Sequence, residues 1–143
     1  MSNITAREII ERLGMQRHPE NGWYVQSFED PAQTDGRAHS TAIYYLLEAG
    51  EVSHWHRVDA VEVWHYYAGA ALELSLSDDG KIAAHRLGVD LASGERPQII
   101  VPKGSWQSAA STGPWTLVGC TVAPGCQFSG FELAAPGWMP DAH

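Results

Sequence analysis

The chain has 143 residues, a formal net charge of −8, 44% hydrophobic residues and 18% charged residues. That length fits one domain around one core, and the balance is that of a globular rather than a disordered protein. An acidic chain without a basic run argues against nucleic acid or an anionic membrane surface as partner. In chain order, Thr5-Ala-Arg-Glu8 forms a capping box, followed by the apolar stripe Ile9, Ile10 and Leu13 and a stop at Gly14. These signals predict a short helix over 6–13. The remaining signals are those of strands and turns: strands over 22–28, 41–47, 52–58, 61–67, 72–77, 82–87, 99–101, 107–110, 116–122 and 131–133. Asp30-Pro31 through Asp35-Gly36 reads as a loop, and Asp79-Gly80 as a hairpin turn. Gly and Pro punctuate the rest, at Gly94, Pro102, Gly104, Pro114 and Pro124-Gly125. Many short strands at even spacing predict an all-β sandwich or barrel carrying one N-terminal helix. One domain over 1–143 is expected, ending in a surface tail over 138–143.

The N-terminal residues lack the apolar stretch of a signal peptide, and no segment is long and apolar enough to span a bilayer, so a cytoplasmic protein is expected. Cys120 and Cys126 flank the Pro124-Gly125 turn. In a reducing compartment they are expected as two buried thiols rather than a bridge. No Lys, Arg or His lies between them to activate either one.

The chemistry concentrates in Gly50-Glu-Val-Ser-His54-Trp-His56, with Glu62 six residues on and then Gly69. On a regular strand His54 and His56 share a face, and a short hairpin brings Glu62 beside them. Two imidazoles and a carboxylate can hold a divalent metal with open coordination positions, or form an acid–base site. No Gly-rich phosphate loop or Gly-x-Ser-x-Gly elbow is present, so a nucleotide cofactor and serine-hydrolase chemistry have no support.

The spacing Gly50-x3-His54-x-His56-x5-Glu62-x6-Gly69 resembles the first signature of the cupin superfamily, and Pro102-Lys-Gly104-Ser-Trp-Gln107 its second. His18-Pro-Glu-Asn-Gly22, Ser40–Leu47, Trp55–Val58, Glu62–Gly69, Val101–Trp106 and Val118–Gly125 resemble the cupin 5 branch over nearly the whole chain. The resemblance implies an RmlC-like jelly roll, a double-stranded β-helix, with a small-molecule pocket at its mouth, assembled as a homodimer. It implies metal ligands at His54, His56, Glu62 and, as a weaker fourth group, Gln107, which stands where metal-binding members place a third histidine. Fe, Mn, Ni or Zn would suit such a set.

Three functions follow as expectations. The first is a metal-assisted isomerase, lyase or dioxygenase acting on a small polar substrate, sugar-like or an oxo or hydroxy acid. The second is a metal-free enzyme like the cupin deoxysugar epimerases, with a histidine as base and Tyr24, Tyr44 or Tyr66 as acid. The third is a non-catalytic module that binds a sugar or another small ligand. Tyr24 and Trp64 are expected in the pocket wall. Arg57 is expected outside the barrel, within reach of a pocket shared with a second chain. His18 is expected as a loop or dimer contact, and His65 on the outer face.

Overall fold

The computed structural model describes residues 3–140; His143 and the last residues of the expected tail lie outside them. Helix α1 spans Ala6–Leu13. The Thr5 hydroxyl accepts the Glu8 backbone N–H at 3.2 Å, and Gly14 closes the helix at φ 68° with its N–H bonded back to Glu11 and Ile10. The helix has one apolar face, so its stability comes from burying Ala6 and Ile9 against a sheet rather than from propensity.

Thirteen strands follow: β1 Gln16–Arg17, β2 Trp23–Glu29, β3 Gln33–Thr34, β4 Arg37–Ala38, β5 Thr41–Glu48, β6 Val52–Val58, β7 Val61–Gly69, β8 Leu72–Ser77, β9 Ile82–Leu87, β10 Gln98–Val101, β11 Trp106–Ser111, β12 Trp115–Ala123 and β13 Phe131–Leu133. A six-stranded antiparallel sheet runs β1-β2-β5-β12-β7-β10, and a five-stranded one runs β13-β6-β11-β8-β9. They face each other as a jelly-roll barrel. The segment over 30–36, expected as a loop, contains half of the small β3–β4 hairpin, which turns at Asp35 and Gly36, both at positive φ. Among the described residues no helix is long and apolar enough to cross a membrane.

Side-chain alternation sorts the barrel. On β5, Tyr45 and Leu47 point into the main core with Trp64, Leu72, Leu74 and Val118. Tyr44 and Leu46 point outward, under α1. Leu72, Leu74, Leu87 and Val118 are fully buried and close one end of the barrel. At the other end polar side chains share the inward positions with Ile43, Val58 and Val122, and there the cavity lies.

Candidate functional site

A break in strand alternation organises the site. Between β6 and β11, Ser53 pairs with Ala109 and His56 with Gln107, so three steps on β6 span two on β11. This bulge holds one extra residue, and it turns the following side chains to the opposite face. Ser53 and His56 point inward and are buried. His54 points away, and its Nε2 donates to the Ala135 carbonyl at 2.9 Å. The expectation that His54 and His56 share a face is therefore corrected: regular alternation does not hold across the bulge.

The bulge also anchors a loop. The His54 backbone N–H donates to the Glu20 carbonyl at 3.0 Å, and the Asn21 amide donates to the Val52 carbonyl at 3.0 Å. Asn21 and Gly22 both adopt positive φ, 83° and 82°. At Gly22 a Cβ would lie 2.7 Å from the Tyr45 hydroxyl, so only glycine lets that hydroxyl reach the Asn21 carbonyl, at 2.5 Å. The segment His18–Gly22 is thus folded over the barrel mouth, and it delivers Glu20 inside.

Glu20 is 5% exposed and sits against His56. Its Oε1 accepts the Ser53 hydroxyl at 3.0 Å, and its Oε2 lies 3.1 Å from His56 Nε2. The His54 carbonyl, which can only accept, lies 2.8 Å from His56 Nδ1, so Nδ1 carries a proton. The Glu20–His56 contact then holds one shared proton, either on the carboxyl of Glu20 or on Nε2 of His56. Burial favours the neutral arrangement: it raises Glu20 to about 8, opposed by the Ser53 and Tyr45 hydroxyls. Burial also lowers His56, against the pull of Glu62.

His18, expected as a loop or dimer contact, is in the loop after β1 and lines the cavity. Its Nδ1 accepts the Glu20 backbone N–H at 3.1 Å, and its ring meets the edge of Tyr24 at 4.6 Å. Burial, then the nearby His56, lowers it to about 4, so the ring is neutral and carries its proton on Nε2. Glu20 was missed as a site residue. The only signal for it was the His18–Gly22 segment, whose Asn-Gly pair permits the left-handed turn.

Glu62 is buried, and burial raises it, opposed by His56. The Gln107 amide is fixed between two neighbours: the Trp64 indole N–H donates to its oxygen at 2.8 Å, and its nitrogen donates to Glu62 Oε1 at 2.8 Å. An indole N–H can only donate, so the amide orientation is determined. Gln107 therefore presents a donor, not an oxygen, toward Glu62. The expected metal set does not assemble: His54 is turned out and the Gln107 oxygen is occupied by Trp64. Among the described residues no three His, Cys, Asp or Glu side chains are grouped to hold one metal ion.

These groups line a cavity of about 470 Å³. Tyr24 and Trp64 are in its wall. Tyr44 is not; it packs beneath α1 and against Tyr67. Tyr66 is not; its hydroxyl donates to the Gly69 carbonyl at 2.5 Å. Arg57 lies outside, bonded to Glu132 at 2.9 Å and stacked on Trp106. His65 is on the outer face, 2.9 Å from the Thr121 hydroxyl. Both cysteines are unbridged and line the cavity, but Cys126 is exposed rather than buried. A second hollow of about 460 Å³, between His65 and Arg96, is an open depression outside the barrel.

Two antiparallel sheets closed around a polar, histidine- and carboxylate-lined mouth define a cupin barrel. More narrowly, residues 7–134 match the family described as Cupin superfamily (DUF985), and the chain belongs to it. The chain is 40% identical to a Shewanella oneidensis protein of known crystal structure, covering 92% of this chain and 85% of that one with a TM-score of 0.89. A hypothetical protein from Leishmania major is 27% identical over 92% of this chain and 88% of its own, with a TM-score of 0.87. A Bacillus subtilis oxalate decarboxylase variant shares the fold at 12% identity and a TM-score of 0.64, over 82% of this chain and 29% of that one. A search of curated proteins finds no match.

Proposed function

We propose that this protein is a proton-transfer enzyme acting on a small polar molecule with a carbonyl group, an isomerase or epimerase in reaction type. The observation that carries this reading is the Glu20–His56 contact of 3.1 Å, in which one proton is shared at the wall of the cavity. A base poised near neutrality needs such a pair, with the histidine tautomer held by a second bond. Glu20, a carboxylate when the shared proton sits on His56 Nε2, takes the proton from the carbon beside the carbonyl, and the His56 imidazolium holds that carboxylate in place. Tyr24, whose hydroxyl accepts from Gln16 at 3.4 Å, is the tyrosine of the three candidates that can return a proton. Glu62, held by Gln107, keeps a second carboxyl beside the developing enol.

The metal-assisted alternative would require His54 to leave Ala135 and Gln107 to release Trp64. The test is solvent exchange: incubation of small hydroxy-aldehydes, hydroxy-ketones and aldoses with the protein in D2O, read by NMR. Deuterium at the carbon beside the carbonyl is expected, unaffected by chelator and lost in Glu20→Gln and His56→Ala. Exchange that chelator abolishes, or that both variants retain, overturns the reading. Absence of exchange in every substrate favours the binding module. For the assembly, a homodimer is proposed, supported by the outward row of β7 and β10, where Val61, Tyr67 and Ile100 are 44%, 49% and 62% exposed.

A further inference from the structure

The cavity has carboxyl groups but no cation. Glu20 and Glu62 are buried in it and Glu29 stands at its rim, whereas no Lys or Arg lines it among the described residues. The five residues outside them include neither Lys nor Arg. Arg37, near the rim, is paired with a carboxylate outside the cavity: its Nε donates to the Gly125 carbonyl at 2.6 Å, and its two terminal nitrogens bond Asp59 at 3.2 and 2.7 Å. Both histidines in the cavity are held toward their neutral forms by burial. The remaining polar groups are uncharged amides, hydroxyls and a phenol, at Gln16, Gln26, Thr41, Gln127 and Tyr24. Phe131 and Trp64 supply flat apolar walls.

We infer that the ligand is an uncharged polyhydroxy molecule of sugar type, and that carboxylates and phosphates are excluded. An anion in this cavity would lose its hydration and find no opposite charge, and it would face carboxyls that must then stay protonated. Hydroxyl groups, in contrast, can donate to or accept from each polar group present. Of the two substrate types expected for the fold, sugar-like compounds and oxo or hydroxy acids, this keeps the first. The inference rests on the reading of this cavity as the substrate site, although not on any turnover.

Cys126 gives a direct measurement, because it is an unbridged, exposed thiol on the cavity lining. Rates of modification by trimethylammonioethyl, methyl and sulfonatoethyl methanethiosulfonate should be compared with those of a small uncharged thiol. A control thiol at Ala83→Cys in a Cys126→Ser background reports the field of the whole acidic molecule. At physiological salt the distant field is screened while the cavity is not. The cationic-to-anionic rate ratio at Cys126 is expected to exceed the control ratio about tenfold. Equal or reversed ratios overturn the inference.

In a second arm, ligand-observed NMR is run on uncharged aldoses and polyols beside glucuronate and glucose 6-phosphate. Uncharged compounds are expected to bind at least about tenfold more tightly, a difference of one decade in Kd. Tighter binding of either anion, or no binding by any uncharged compound at about 10 mM, overturns it. Loss of isotope exchange with charge selectivity intact would refute the proton-transfer reading alone.

Discussion

Glu20→Gln separates stability from function at the centre of the site. Glutamine keeps the shape, accepts from Ser53 through its oxygen and donates to His56 Nε2 through its amide, but it cannot ionise. In the native protein Glu20 stays protonated up to about 8, against 4.5 as its ordinary value. The sign follows from proton counting: between those values the folded state binds more protons than the unfolded chain, so stability falls as pH rises. The loss accumulates at about 1.4 kcal/mol per pH unit, reaching about 3 kcal/mol at pH 7 and about 5 kcal/mol above pH 8. His18 works oppositely. Its folded value of about 4 lies below its ordinary 6.5, so its contribution is lost as pH falls through that window. The wild-type profile mixes the two, and the difference between variant and wild type isolates Glu20. Urea unfolding from pH 4.5 to pH 9 should show Glu20→Gln gaining stability progressively over wild type, with no gain at the acidic end, while isotope exchange is lost. Parallel pH profiles for the two proteins would refute the buried shared-proton pair.

His54→Ala should leave isotope exchange intact and cost about 1 kcal/mol, the worth of its bond to Ala135, whereas His56→Ala should abolish exchange. Equal loss of exchange in both would return His54 to the site. Gln107→Ala leaves the Trp64 indole N–H and the Glu62 carboxyl without their shared partner, and urea unfolding should show a loss of about 2–4 kcal/mol. Gly69→Ala places a Cβ 2.5 Å from the Trp115 carbonyl oxygen at φ 90°, so a loss of about 2–4 kcal/mol is expected, read as a lowered Tm. Light scattering at micromolar concentration should report twice the chain mass; a monomer would contradict the proposed homodimer.

What the sequence alone determined is local. Period-two patterning and Gly/Pro punctuation define β6, β8, β9 and β13 at their observed bounds, and the capping box with Gly14 defines α1. These signals act over a few residues, where side-chain size, φ preference and hydrogen-bond chemistry suffice. The same period-two rule placed His56, Glu62 and Trp64 in one interior, because β7 is regular through that stretch. It failed at His54, because the β6 bulge is defined by pairing with β11 and not by β6 itself. It also failed to separate Tyr24 from Tyr44, whose facing depends on which side of the sheet receives α1.

Only the tertiary structure decided what the site is. Glu20 lies 36 residues before His56 and belongs to no strand. Its position depends on left-handed backbone at Asn21 and Gly22, and on a His54 N–H that the bulge turns toward it. Gln107 becomes a donor rather than a ligand because the Trp64 indole takes its oxygen. Burial then sets the charges, holding Glu20 and His56 toward neutrality across a shared proton. Residue types supplied the histidines and carboxyls. Long-range pairing and desolvation fixed which of them face one another, and in which protonation state.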